Sequence, residues 1–187
     1  MIFIKKAAET SIKTDSVRED VAKIIESVRC RGDQALLELI SRYDGVAVSD
    51  LRVPPEEIKK AYSQVDEKTV ECLQLAASRI KSFAEKQVEC LLPLAYESSP
   101  GVVLGHRLIP VSSCGAYVPG GRYPLPSSAL MSIIPARVAG VKRIAACSPP
   151  SKAFAGIHPA VLVAMDIAGA DEIYCMGGAQ AVAAYAC

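Results

Sequence analysis

The stretch Cys114-Gly115-Ala116-Tyr117-Val118-Pro119-Gly120-Gly121 decides the fold. A short apolar run stops at a proline and two glycines, and a helix-length segment, Ser127 to Val138, follows. The arrangement recurs downstream. Arg143-Ile144-Ala145-Ala146-Cys147 leads into Ser148-Pro149-Pro150 and a helix-length stretch from about His158 to Ala168. Glu172-Ile173-Tyr174-Cys175-Met176 leads into Gly177-Gly178 and a last helix starting near Gly178. Short apolar runs alternating with helices predict βαβ units, a parallel sheet and right-handed crossovers. Val102-Val103-Leu104 reads as a further buried strand. Pro135 removes a backbone donor, so a kink or break is expected in its helix, and Ser127 or Ser128 is the expected cap.

Upstream, the pattern is helical. Ser16-x-x-Glu19 suggests a capping box, and Val17, Val21, Ile24, Ile25 and Val28 then share one face. Gly32 and Asp33 mark a stop and a new start. Pro54-Pro55-Glu56-Glu57 opens another helix, and a longer one spans roughly Asp66 to Gln87, with Val70, Leu73, Ala77, Ile80 and Ala84 inward. Most charged residues precede Pro100, and the turn chemistry of Ser98-Ser99-Pro100-Gly101 marks the change. The expected organisation is a helical region over 1–98 and an α/β region over 99–187.

The composition excludes several classes. A net charge of +1 gives no field for nucleic acid, and no apolar run is long enough to span a membrane. The seven cysteines are widely spaced and include no C-x-x-C, so neither a disulfide framework nor a zinc cluster is expected; most read as small buried hydrophobes. The expected compartment is the cytoplasm.

In an open parallel sheet a ligand binds beyond the carboxyl ends of the strands. Tyr117 to Leu125, Ser148-Pro149-Pro150 and Met176 to Gln180 fall there. Tyr117 is a candidate to stack on a flat ring, Gln180 to hydrogen-bond an amide or hydroxyl, and Arg122 to meet an anionic group. Gly120-Gly121 and Gly177-Gly178 permit close approach to the backbone, although a tight turn alone explains such pairs. No G-x-G-x-x-G occurs. A thiol nucleophile at Cys114, Cys147 or Cys175 is a further reading.

Several collinear motifs resemble those of the histidinol dehydrogenase family. They are Gly115-Ala116-Tyr117-Val118-Pro119-Gly120-Gly121, Pro135-Ala136-Arg137-Val138-Ala139-Gly140, Cys147-Ser148-Pro149-Pro150 and Gly177-Gly178-Ala179-Gln180-Ala181. The resemblance implies helices followed by an incomplete Rossmann-like domain of the aldehyde dehydrogenase-like superfamily. It further implies an intertwined homodimer and NAD-dependent oxidation of a small-molecule alcohol, histidinol, to the acid through an aldehyde, with a catalytic zinc. By the same resemblance Tyr117, Gly120, Gly121 and Gln180 bind NAD. The family's zinc ligands and base pair map nowhere on this sequence, which reads as a truncated chain, inactive by itself, whose second half is a separate or missing piece. Alternative readings are a non-catalytic NAD-binding module and a relative that oxidises sulfonated diols. The second rests on Arg122-Tyr123, whose cation suits an anionic substrate tail.

Overall fold

The computed structural model describes residues 14–120 and 123–187. Helix α1 spans Thr14–Arg31, so it opens two residues before Ser16 and the expected capping box lies within it. Gly32, at φ 55°, turns the chain into α2, Asp33–Asp44. A helical residue with a Cβ avoids that angle, which is why one helix becomes two. Pro54 and Pro55 start α3, Pro55–Ser63, with Glu56 and Glu57 at its positive end. Asp66 caps α4, Glu67–Glu89, by accepting the Thr69 N–H at 2.9 Å.

Next comes β1, Leu94–Ser99, paired antiparallel with β2, Val102–His106. Here the expectation of a buried strand at Val102–Leu104 fails. Every residue of both strands is exposed, and the pair stands apart from the main sheet. The turn residues at 98–101 close this hairpin, so residues 94–98 are strand rather than helix.

The main sheet is β3 (Ser113–Tyr117), β4 (Arg143–Ser148) and β5 (Glu172–Cys175), parallel and in that order. The connecting helices are α5, Pro126–Val138, and α6, Pro159–Ala168; α7, Gly178–Ala186, follows β5. Helix α5 has no side-chain cap: Leu125 holds the cap position and Pro126 the first turn, so neither Ser127 nor Ser128 serves. Pro135 does not break α5, which continues to Val138. Its missing N–H forfeits the one bond to Met131 O, and the helix continues for three more residues.

Helices α5 and α6 cover one face of the sheet, packing on Ala116, Ile144, Ala146 and Ile173. Helices α3 and α4 lie against them, and Val53, Ala61 and Leu73 join the same core. On the opposite face α7 packs with α1 and α2 around Cys147 and Met176. The early helices thus flank the sheet on both sides. They also supply a fourth backbone segment, unforeseen in the sequence. Val53 N–H donates to Ile173 O at 2.8 Å, Cys175 N–H donates to Leu51 O at 2.7 Å, and Arg52 pairs antiparallel with Tyr174.

Candidate cofactor-binding site

The turns after β3, β4 and β5 meet at the carboxyl edge of the sheet, and the sheet register brings them there. Tyr117 stands opposite Cys147, and Cys147 opposite Tyr174. Val118 N–H donates to Cys147 O at 2.8 Å, which carries the ladder one residue past β3. The Tyr117 side chain is 38% exposed, and its hydroxyl accepts the Gly178 N–H at 3.3 Å. That bond ties the end of β3 to the first turn of α7.

Gln180 lies in that same turn but is only 3% exposed. Its amide folds back on the glycine before it: a Cβ at Gly178 would sit 2.7 Å from Gln180 Oε1. Tyr117 is therefore partly open to solvent at this corner, while Gln180 is buried. Gly121 and Arg122 lie outside the described residues. Tyr123, beside them, is exposed.

The glycines here serve the protein's own packing. A Cβ at Gly120 would lie 2.8 Å from Ser148 Oγ, and one at Gly177 would meet Pro149, 3.0 Å from its Cα. Residue type alone did not reveal this interlocking, in which Ser148, 1% exposed, and Pro149 hold the flanking turns. His158 caps α6, with Nδ1 accepting the Ala160 N–H at 3.2 Å.

The cysteines depart from expectation. Cys147 and Cys175 are buried and Cys114 is partly so, but Cys30, Cys72, Cys90 and Cys187 are exposed. Burial pushes the Cys147 thiol up to about 11 and the Cys175 thiol to about 12. A nucleophilic thiol needs the reverse shift, so neither residue is activated. Among the described residues, no three His, Cys, Asp or Glu side chains come together as a metal centre would require. No described helix is long and apolar enough to cross a membrane.

Residues 7–187 match the family model described as histidinol dehydrogenase. The chain belongs to the histidinol dehydrogenase family. A histidinol dehydrogenase of Methanothermobacter thermautotrophicus is 48% identical over 177 residues, covering 94% of this chain and 40% of that protein. One from Listeria innocua is 41% identical, covering 97% of this chain and 42% of its own length. The crystal structure of histidinol dehydrogenase from Elizabethkingia anophelis superposes with a TM-score of 0.85 at 31% identity, over 97% of this chain and 40% of that one. The chain thus spans about two-fifths of the length of these relatives.

Proposed function

We propose that this chain carries the cofactor-side part of an NAD-dependent enzyme that oxidises L-histidinol to L-histidine through the aldehyde, in the cytoplasm and as a homodimer. The carrying observation is the Tyr117–Gly178 contact. It sets an exposed aromatic ring beside the amino end of α7 at the carboxyl edge of a parallel sheet, in a family whose named activity is a dehydrogenation. The sheet is read as part of an incomplete Rossmann-like unit of the aldehyde dehydrogenase-like superfamily.

The residues fit a dinucleotide in part. The Tyr117 ring offers a stacking surface, and the Gln180 amide is buried against Gly178 in the first turn of α7. Gly120 ends the described part of the turn after β3; Gly121 and Arg122, outside the described residues, are proposed from the sequence alone as a cofactor-side glycine and a substrate-side cation. Bound at this edge, NAD would supply the hydride acceptor for the oxidation. Tyr117 orients the cofactor, and the interlocked turns of Gly120 with Ser148 and Gly177 with Pro149 keep the edge rigid. The family resemblance suggests that the zinc ligands lie in the portion of the relatives that this chain does not match.

Calorimetric titration of the purified chain with NAD tests the reading. Saturable binding is expected, weakened at least tenfold by Tyr117→Ala, in line with a lost stacking contact. An unchanged affinity in that variant would refute the assignment. Steady-state turnover of histidinol against a sulfonated diol by the full-length enzyme decides between the two substrate classes. Preference for the diol would move the function to the branch suggested by Arg122-Tyr123.

A further inference from the structure

We infer that the hollow on the α7 face of the main sheet is a binding site for an α-amino acid with an apolar side chain. The ligand would sit tail inward, between the first turn of α2 and the end of α7. Nothing in this site depends on the binding of NAD.

The strand register explains the hollow. Ser113 pairs with Arg143 and Gly115 with Ala145, so these residues share one face of the sheet with Tyr174. On the other face Ile144 and Ala146 are wholly covered by α5 and α6. On the α7 face Gly115 and Ala145 lie side by side and leave little bulk above the strands. The Tyr185 ring of α7 takes the space over Gly115. What remains is a cavity of about 470 Å³ between α2, α7 and Leu51.

The cavity is apolar inside and charged at its rim. Leu36, Leu51, Ala145 and Met176 line it and are buried, whereas Asp33 and Arg143 are exposed. Arg143 donates through Nε and Nη2 to Glu172 at 3.2 and 2.9 Å. The Tyr174 hydroxyl donates to the same carboxylate at 2.6 Å. Both Glu172 oxygens are thus engaged, and Nη1 of Arg143 is left for another acceptor. Among the described residues no donor or cation pairs with Asp33, the first residue of α2. At the α7 wall the Tyr185 hydroxyl is buried beside the Cys147 thiol without a hydrogen-bond partner among the described residues. A buried polar group left in that state calls for one. A spare guanidinium arm and an unpaired carboxylate match a head that bears a carboxylate and an ammonium. The buried interior matches an apolar tail. An apolar α-amino acid carries both, whereas a polyanion would face Asp33 and Glu172 with a single guanidinium arm to offset them.

Calorimetric titration of the purified chain with L-leucine tests the site, and amide shifts in the NMR spectrum locate the ligand. Saturable one-to-one binding is expected below about 10 mM, with shifts at Gly115, Ala145 and Tyr185. Glycine, which lacks the tail, should bind on the order of a hundredfold more weakly. Isocaproate lacks the ammonium and should lose about threefold to fivefold, as an exposed ion pair allows. Isoamylamine lacks the carboxylate and should lose about tenfold, as a bond to a charged group allows. Asp33→Asn should cost leucine about threefold to fivefold and leave isocaproate unaffected. Ala145→Leu fills the hollow and should abolish binding while the circular dichroism matches the parent. Val103→Lys, on the exposed hairpin, should leave binding unchanged. If Ala145→Leu does not fold, Asp33→Asn and the ligand series still decide. Absence of leucine binding, binding retained in Ala145→Leu, or shifts confined to Gly120 and Gly178 would each overturn the proposal. Equal affinity for glycine would remove the apolar tail, and equal affinity for isocaproate the role of Asp33; either result overturns it too.

Discussion

Arg137 and Asp171 meet at 2.7 Å at the end of the sheet opposite the candidate site. The same guanidinium donates to the carbonyls of Val141, Lys142 and Gly169, and the Asp171 carboxylate accepts the Ile144 N–H at 2.7 Å. One side chain thus joins the end of α5, the cap of α6 and the approaches to β4 and β5. Arg137→Ala should lower unfolding free energy by about 1–3 kcal/mol, the usual range for charge-assisted bonds partly open to water. Arg137→Lys should recover little, since a single ammonium cannot serve four acceptors arranged around a planar fork. Urea denaturation of the three proteins checks this; full rescue by lysine would show that charge alone suffices.

His158 links α6 to pH. Burial lowers the affinity of its imidazole for a proton, and Nδ1 is occupied in accepting the Ala160 N–H. The unfolded chain, with an ordinary imidazole near 6.5, takes up the proton first. The stabilisation is therefore complete above about pH 6.5 and declines as pH falls through the lower folded value. His158→Asn keeps a side-chain acceptor at the cap and should flatten the urea midpoint between about pH 7 and pH 5. A slope unchanged in the variant would place the titrating group elsewhere.

Thiol labelling should divide the cysteines by burial. At pH 8 a thiol raised to about 11, as at Cys147, holds on the order of a hundredfold less thiolate than an ordinary one. Cys175, at about 12, holds less still. Peptide mapping after brief alkylation of the native protein should find Cys72, Cys90 and Cys187 modified and these two intact. Rapid labelling of Cys147 would mean that α7 opens readily.

Gly115 and Gly177 are among the glycines that cannot gain a methyl group without moving a neighbour. At Gly115 a Cβ would lie 2.5 Å from the Tyr185 ring, and at Gly177 it would meet Pro149. Each alanine variant should cost about 1–3 kcal/mol, the range for overpacking. Gly177→Ala should also weaken NAD binding, because it parts the turns after β4 and β5. Thermal melts and NAD titration separate the two effects; a Gly177→Ala protein of parental affinity would remove that turn from the site.

The sequence made the three parallel strands and their helices legible, because each strand pairs an apolar run with a sharp proline or glycine stop. Asp66 and the Pro54-Pro55 start were equally plain. The hairpin was not. Val102-Val103-Leu104 carries the same residues as a core strand, but its partners in the hairpin are Ser99, Glu97 and Tyr96, and every residue of both strands is exposed. The edge segment at 51–53 escaped because three residues give no period to read. At the site, residue type marked Tyr117 and the glycines, but the burial of Gln180 and the locking of Gly120 by Ser148 depend on loops distant in sequence.

The segment at residues 51–53 also bears on how copies of the protein can associate. Among the described residues it covers the β5 flank of the main sheet, with Leu51 and Val53 bonded to Cys175 and Ile173. Any strand added on that flank would first have to displace these residues.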